Sequence, residues 1–352
     1  MSQEELLDTV IRPRMAGWGI TRLADVTGLD YLGIPMAAAI RPLGEPARLV
    51  AAGPTLADAA TSAALAVARV WHASWSVPDP VARGAPADFM TGYEVGDLGL
   101  PPDCLVTRST KLDWVQAQSL ADGRLTIVPR DLVCLSRPPR RRWRPAFLTA
   151  TTVGLGAGAT RDEAIVGALC GWAAHDAAAM LAHGGITGVL DTRTIPDAWC
   201  ARTVQQVADA GGQAVIAALP SRTGMPCWAA AFRGGDVATA GIAARPDPVA
   251  ALAAALCDAA AARLAALAGS GGYVNPAHLA LAGWDGRPLP WRDLVPGTTG
   301  GPHGRTPGSV AAVTRLACAA TGAAPLVVDL AGDEGIAVVK VLCPDPALGE
   351  RP

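Results

Sequence analysis

The sequence has few lysines, few aromatic residues and almost no net charge. Only Lys111 and Lys340 are lysines among its 352 residues, aromatic residues make up 5%, and the formal net charge is −2. A chain this close to neutrality has no bulk electrostatic attraction to nucleic acid or to an anionic membrane surface. Neither nucleic acid nor a membrane is therefore an expected partner.

The signatures of several common sites are also missing. The eight cysteines form no CxxC pair, and no GxGxxG, GxxxxGK[ST] or GxSxG motif occurs. These absences argue against a dinucleotide fingerprint, a P-loop and a serine-hydrolase elbow. They also argue against structural zinc, which needs ligand pairs at characteristic spacing. We expect the cysteines to be thiols in a reducing compartment.

Long hydrophobic runs are missing too. Spanning a bilayer takes roughly 18 or more apolar residues, and the longest alanine-rich run, 249–268, is interrupted by Asp258 and Arg263. The first residues, MSQEELLDTV, are polar and acidic and do not form a signal peptide. We therefore expect a cytoplasmic protein.

The composition predicts a large folded core. Hydrophobic residues make up 51% of the chain and charged residues 17%, which is typical of globular proteins and not of disordered ones. Helical and strand patterns mix without a strict βαβ rhythm, which favours one α/β or mixed α+β unit. We expect a single domain over 1–352, with an N-terminal segment at 1–16 and an irregular tail at 343–352.

Two stretches predict long helices that begin alike. In 160–184, Thr160 and Glu163 form a capping box, and in 55–75 the equivalent residues are Thr55 and Asp58. Each stretch follows a glycine, Gly158 or Gly53. This similarity indicates an internal repeat.

A third long helix is predicted at 247–268, where Asp and Pro form the first turn. We expect 55–75, 160–183 and 247–268 to be the three longest helices, packed around one central cleft. Small residues on the two related helices should allow close approach; these are Ala63, Ala66, Ala168 and Gly171.

Shorter elements complete the predicted fold. Helices are expected at 203–211 and 310–321, and strands at 34–40, 47–52, 105–107, 125–128, 146–153, 214–219, 227–232, 325–330 and 336–342. The arginine-rich stretch 136–145 is either a contact for an anion or acidic peptide or, as we favour, a solvated loop. Trp284 and Trp291 are predicted on exposed loops.

Four blocks together resemble the YcaO family. They are GITRLADVTGLDYLGIP, TTVGLGAGATRDEAIVGAL, ARPDPVAALAAALCDAAAARL and GIAVVKVLCPDPALG, in the family's order, and the resemblance runs from about Gly17 to Leu348. It implies one α/β domain that binds ATP and Mg²⁺ between helices and phosphorylates the oxygen of a peptide backbone amide. Attack by a nucleophile then gives azolines, thioamides or amidines in ribosomally made peptides.

The family's acidic residues are largely replaced here. On the first helix Ser62 matches the family pattern, but its two glutamate positions hold Ala66 and Arg69. On the second helix the family has a Glu and then a Glu-Arg pair, and here these three positions hold Gly171, Ala174 and His175. Asp176 matches the family pattern.

Further departures and matches lie in the other blocks. Val153 replaces an asparagine, Ala261 replaces a glutamine, and Asp258 and Arg263 match. Because Mg²⁺ is usually anchored by carboxylates, the resemblance implies ATP and Mg²⁺ as cofactors that this chain is poorly equipped to hold.

We assign no catalytic residue and no metal ligand from the sequence. The candidates for the nucleotide region or cleft are Ser62, Arg69, Glu163, Asp176, Asp258 and Arg263. Arg69 is expected to pair with Asp258 or Asp176, because a buried charge needs a partner.

Three hypotheses follow. The first is a degenerate YcaO protein that serves as a partner or peptide-binding subunit of an intact enzyme, as a homodimer or heterodimer. The second is an active, ATP-dependent cyclodehydratase-like enzyme with an altered nucleotide site that uses Arg69, Asp258 and Arg263. The third is unrelated chemistry with His72, His175 or a cysteine as base or nucleophile.

Overall fold

The computed structural model describes residues 2–42, 48–100, 104–135, 147–182, 185–234, 239–268, 287–295, 308–331 and 335–349. The chain forms two compact units. Unit 1 combines Met1–Val67 with Ala173–Gly308, and unit 2 combines Ala68–Trp172 with Ser309–Pro352. Both contain helices and antiparallel sheets, so the predicted mixed α/β class is confirmed, whereas the single domain stays a prediction.

The described helices and strands have the following bounds. The helices are α1 (Gln3–Leu6), α2 (Arg12–Arg14), α3 (Leu56–Trp75), α4 (Arg161–Ala182), α5 (Ala198–Asp209), α6 (Pro248–Leu267), α7 (Trp291–Leu294), α8 (Val310–Thr321) and α9 (Pro346–Gly349). The strands are β1 (Arg22–Asp25), β2 (Met36–Ile40), β3 (Arg48–Ala52), β4 (Ala82–Gly84), β5 (Leu112–Ser119), β6 (Leu125–Pro129), β7 (Leu155–Gly158), β8 (Gly188–Val189), β9 (Gln213–Ala218), β10 (Cys227–Arg233), β11 (Thr239–Ala244), β12 (Leu326–Ala331) and β13 (Ala337–Leu342). Among the described residues, α3, α4 and α6 are the longest helices, as predicted.

Unit 1 contains two antiparallel sheets, β1-β2-β3 and β11-β10-β9-β8. Helix α6 packs on β10 and β11, and the caps of its first turn explain where it starts. Asp247 accepts a hydrogen bond from the backbone N–H of Ala250 at 2.7 Å, and Pro248 occupies the first helical position. Buried side chains of the sheets and of α6 form one hydrophobic core.

Two tryptophans of that core stack on each other. The rings of Trp228 and Trp291 lie 5.3 Å apart and nearly parallel, and Trp291 is only 5% exposed. The prediction that Trp291 lies on an exposed loop is therefore wrong, because α7 carries the indole into the core. Trp284 lies outside the described residues.

Unit 2 is built on one antiparallel sheet in the order β4-β5-β12-β13-β7. The strand β6 also pairs with β5. The β5–β6 hairpin turns at Asp122-Gly123, and Gly123 has a φ of 73°, which glycine adopts readily. The strand β5 itself has no counterpart in the sequence-based prediction, and neither does β11 in unit 1.

The strand predicted at 146–153 is wrong, and the glycine-rich residues after it form β7 instead. Residues 147–153 form no strand, because two of their carbonyl oxygens accept hydrogen bonds from a buried amine. Lys340 donates from Nζ to the carbonyl oxygens of Thr151 at 2.7 Å and Val153 at 2.6 Å. Burial lowers the pKa of Lys340 to about 8.

Smaller differences concern loops and the tail. Residues 105–107 form no strand, and α9 lies inside the tail that was expected to be irregular. The arginine-rich stretch 136–145, for which the sequence allows two interpretations, lies outside the described residues.

Within the part of the chain that the structure describes, two helices have the length and composition that would allow them to cross a membrane. They are Arg161–Leu181 and Pro248–Leu267, and half of each is buried inside the protein. Helices in the core of a soluble protein have the same properties, so the finding is consistent with a soluble protein.

Ala168 gives a test of the close packing in unit 2. Its side chain is fully buried, and its backbone nitrogen would lie 2.9 Å from a Cβ built on Gly156 of β7. Ala168→Leu should lower the free energy of unfolding by about 1–3 kcal/mol through overpacking. Denaturant titration measures the change.

Gly167→Ala is the matched control on the same helix. Gly167 is exposed, and an added Cβ would meet nothing within 4 Å. This variant should stabilise the protein by about 0.5–1 kcal/mol, because alanine restricts the unfolded chain more than glycine does. Equal stabilities for both variants would contradict the packing described.

Candidate functional site

The candidate site is built on the two related helices, whose N-termini are capped alike. In α3 the Asp58 N–H donates to the Thr55 hydroxyl at 3.1 Å, and in α4 the Glu163 N–H donates to Thr160 at 3.2 Å. The Glu163 carboxylate accepts from the N–H of Ala159, one residue earlier than an ideal capping box requires. The structure thus gives Glu163, one of our candidates, the role of a helix cap.

The glycines before the two helices are also equivalent. A Cβ on Gly53 would lie 2.7 Å from the Ala59 nitrogen, and one on Gly158 would lie 2.6 Å from the Glu163 Cβ. Both distances are shorter than any real contact, so each helix start needs glycine beside it. The local equivalence of the two helix starts supports the internal repeat.

The first helix carries two candidates, which the structure places in different units. Ser62 is exposed on the part of α3 that belongs to unit 1, whereas Arg69 is half-buried on the part that belongs to unit 2. Ala66, where the family has a glutamate, is half-buried. The expected pairing of Arg69 stays a prediction.

Asp176 on α4 is bound by Arg222. Nη2 of Arg222 lies 2.6 Å from Oδ1, and its Nε lies 3.0 Å from Oδ1 and 3.1 Å from Oδ2. The Asp176 side chain is 13% exposed and the Arg222 side chain 34%. Two guanidinium nitrogens on one carboxylate make a charge-assisted pair of defined geometry.

Sequence analysis missed Arg222. It belongs to the loop before β10 and lies 46 residues after its partner, so no local spacing links the two. A single sequence contains no signal for such a contact.

Charged residues surround two thiols in the same unit. Burial raises the pKa of Cys227 to about 12, although the charge of Arg245 acts against the shift and that of Asp176 adds to it. Burial also raises the pKa of Cys257, and the charges of Asp258 and Asp58 add to the increase. Both thiols stay protonated at neutral pH, which disfavours a cysteine nucleophile among them.

The charges that act on these thiols mark one neighbourhood in unit 1. Asp176 and Arg245 both influence Cys227, while Asp58, Asp258 and Arg245 influence Cys257. Asp258 itself lies against β11, since a Cβ on Gly241 would come within 2.6 Å of the Asp258 Cβ. Candidates Asp176 and Asp258 therefore share an electrostatic environment with Arg245.

Arg263 forms a buried ion pair. Its Nε lies 2.9 Å from Oδ2 of Asp30, and the two side chains are 5% and 0% exposed. Its Nη2 donates to the Tyr31 hydroxyl at 2.8 Å, and its guanidinium carbon lies 5.0 Å from the centre of the Tyr31 ring. The sequence alone did not reveal Asp30 as this partner, because the two residues lie 233 positions apart.

The two histidines of the third hypothesis differ in environment. Burial lowers the pKa of His72 to about 4, and its Nδ1 lies 3.0 Å from the Ser76 hydroxyl. His175 is exposed on α4. His72 is therefore neutral near pH 7, where it can accept a proton only weakly.

Gly171 does not mediate the close helix approach that we expected. It is exposed, and an added Cβ would meet nothing within 4 Å. Ala63 and Ala168 are fully buried, so the expected burial holds for these two. An open position at Gly171 has room for the glutamate that the family carries there.

The donor set expected for Mg²⁺ does not fit the described residues. In that part of the chain, no group of three or more His, Cys, Asp or Glu side chains could hold a metal ion. Ala66, Gly171 and Ala174 offer no side-chain oxygen, and Asp176 is already bound to Arg222. Mg²⁺ is usually anchored by carboxylates together with substrate phosphates.

Comparison with known proteins identifies the family. The model of the YcaO family, described as YcaO cyclodehydratase, ATP- and Mg²⁺-binding, matches residues 50–346. The chain belongs to the YcaO family, as the sequence blocks predicted. An uncharacterised protein of Mycobacterium tuberculosis is 30% identical over 360 residues, covering 95% of this chain and 79% of that protein.

Solved structures share the fold. A heterocyclase in complex with substrate and cofactor has a TM-score of 0.77 at 16% identity; the match covers 98% of this chain but only 52% of the heterocyclase. YcaO from Methanopyrus kandleri, bound with AMPPCP and Mg²⁺, has a TM-score of 0.70 at 21% identity, with 98% and 91% covered. The E. coli microcin synthetase McbBCD complex with pro-MccB17 bound has a TM-score of 0.61 at 11% identity, with 92% and 87% covered.

A double-mutant cycle tests the pair formed by Asp176 and Arg222. Asp176→Asn, Arg222→Gln and the double variant should give a coupling energy of about 1–2 kcal/mol, because the pair is charge-assisted and partly buried. Chemical denaturation measures each stability. The coupling should fall only modestly in high salt.

The more exposed pair formed by Asp191 and Arg193 is the matched control. The Arg193 side chain is 87% exposed and the Asp191 side chain 21%, and Nη2 of Arg193 lies 2.9 Å from Oδ2 of Asp191. The same substitutions there should give a coupling below about 1 kcal/mol that salt screens. Similar values for the two pairs would contradict the special position of Asp176.

Proposed function

We propose that this chain is a degenerate YcaO-domain protein that takes part in the modification of a ribosomally made peptide. It serves as a partner or peptide-binding subunit of an active YcaO enzyme. The observation that carries the proposal is the ion pair between Asp176 and Arg222. In this pair, an arginine of the same chain binds an acidic residue of the region where the metal ion is expected.

The electrostatics of the region support a loss of nucleotide chemistry. Ala66, Gly171 and Ala174 bring no negative charge where the family has glutamates. Asp258 is the remaining matched acid on α6, and a single carboxylate gives one of six ligand positions. Such a region has little affinity for Mg²⁺.

Similar proteins support the general pathway. The related solved structures are a heterocyclase with its substrate and a microcin synthetase complex with pro-MccB17. The chain spans about half the length of the heterocyclase. From these related proteins we take the kind of partner, a peptide or another protein. We also propose a cytoplasmic location, because it suits the modification of ribosomal products.

An active ATP-dependent enzyme with an altered nucleotide site is the second candidate. The match to a family described as ATP- and Mg²⁺-binding, and to a YcaO structure with a bound nucleotide analogue and Mg²⁺, favours it. Arg69 and Asp258 would then contact the nucleotide. Arg263 is less available for this role, because Asp30 and Tyr31 already bind its guanidinium.

Isothermal titration with ATP and Mg²⁺ separates the two candidates. The unchanged protein should give no saturable heat. The quadruple variant Ala66→Glu, Arg69→Glu, Gly171→Glu, Ala174→Glu restores the family's acids, and it should bind the nucleotide with Mg²⁺ at least tenfold more tightly. Adding Arg222→Gln, which releases Asp176, should increase the affinity further.

Gly167→Glu is the control for added charge. It places a glutamate at an open, exposed position of α4, and it should bind no nucleotide. If the unchanged protein hydrolyses ATP with Mg²⁺, at a rate that Asp258→Ala abolishes, the degenerate function is wrong and the second candidate replaces it.

We propose that the chain forms a homodimer or a heterodimer with an intact YcaO relative. The family's dimers and the multi-protein microcin synthetase complex support this assembly. Light scattering over a hundredfold concentration range, alone and with an intact relative, should show at least one of the two dimers. A monomer under all of these conditions would exclude the proposed assembly.

A further inference from the structure

A cavity in unit 1 has two arginines in its wall. Its lining includes Tyr31, Gly212, Arg233 and Arg263, with apolar side chains between them. The free space is about 190 Å³ including the mouth, and the closed part has room for about one water-sized group. This cavity lies apart from the Asp176–Arg222 pair, and none of its lining residues carries the proposed function.

Arg233 brings unused donors to the cavity. It is the last residue of β10 and pairs through its backbone register with Gln213 of β9, so the strand fixes its position. Its Nε and Nη2 atoms are buried and make no hydrogen bond. These two nitrogens form the edge of a guanidinium that binds a carboxylate or similar anion at two points.

The two arginines that line the cavity differ in their partners. Asp30 binds Arg263, whereas the buried Nε and Nη2 of Arg233 make no hydrogen bond. A buried charge without a counter-charge is costly. The positive charge of Arg233 therefore selects for an anion and against a neutral ligand.

Tyr31 adds a third hydrogen-bond donor, and its side chain lies at the mouth of the cavity. Its hydroxyl accepts a hydrogen bond from Nη2 of Arg263 at 2.8 Å, which leaves its own proton to donate. The residue is 65% exposed, so a small ion can reach the cavity past its ring.

We propose that this cavity is a binding site for one small monovalent anion, either chloride or a short carboxylate. Nε and Nη2 of Arg233 and the hydroxyl of Tyr31 hold it. The anion neutralises Arg233 and joins the end of β10 to the segment that carries Tyr31. Because it binds the folded state, it raises stability in proportion to its occupancy.

The test compares anions at constant ionic strength. The protein is kept in sodium gluconate, whose anion is too large for the cavity, and gluconate is replaced stepwise by chloride or by acetate. The melting temperature should rise with a saturable dependence for at least one of the two, and ³⁵Cl line broadening reports chloride binding directly. A response to chloride alone assigns an inorganic anion, and a response to acetate assigns a carboxylate.

Arg233→Gln should weaken the anion affinity at least tenfold, whereas Arg292→Gln should leave it unchanged. Arg292 is in the same unit, and its side chain is 87% exposed. Tyr31→Phe, at a largely exposed position, should weaken the affinity severalfold and serves if Arg233→Gln does not fold. No saturable response of the unchanged protein to either anion, or an equal response in Arg233→Gln or Tyr31→Phe, would overturn the proposal.

Discussion

The long helices lie directly on extended backbone, and glycine makes this possible at each point of contact. Gly53 touches the start of α3, Gly158 touches α4, and Gly241 lies against α6 at Asp258 and Ala259. A Cβ at any of these glycines would overlap the helix. The short separation also explains the alanines on the buried helix faces, because a larger side chain would push the helix away from its strand.

A packing this close fixes the positions of the side chains that follow each contact. The cap residues Asp58 and Glu163 stand beside the two equivalent glycines. The Asp58 carboxylate accepts from the Thr55 hydroxyl, and the Glu163 carboxylate accepts from the Ala159 N–H. On α6 the third contact holds Asp258, and Arg263 lies five residues further on. There it meets Asp30, and loss of one partner of such a buried pair costs about 3–5 kcal/mol. The block TGLDYLGIP is therefore tied to α6 by an ion pair as well as by apolar contacts.

Much of the fold could be predicted from local signals. Caps, glycines and alanine-rich faces placed α3, α4 and α6 within a few residues, and α8 was predicted with its observed bounds. The glycine-rich β7 was missed because glycine argues against a strand, while its role depends on a helix that packs against it. Residues 146–153 were predicted as a strand, but the distant Lys340 binds the carbonyl oxygens of Thr151 and Val153, which a neighbouring strand would need.

The candidate site was less predictable for the same reason. The family pattern showed which acids are replaced, because that information is local and positional. It could not show the partners of the acids that remain: Arg222 for Asp176, and Asp30 for Arg263. Both partners come from loops distant in sequence. The three-dimensional fold alone assigns them.

Because Asp176 is paired with Arg222, the loss of the other carboxylates has a further consequence for metal binding. A hydrogen-bonded charge pair of this kind contributes about 1–2 kcal/mol, which corresponds to roughly a fivefold to thirtyfold penalty for any cation that must displace Arg222. In a site with several glutamates, a metal ion could compensate for this penalty through its other ligands. With alanine or glycine at 66, 171 and 174, no such compensation is available from those positions. Restoring one acid alone would therefore leave Arg222 as the better ligand of Asp176, and affinity for Mg²⁺ requires the acids to return together.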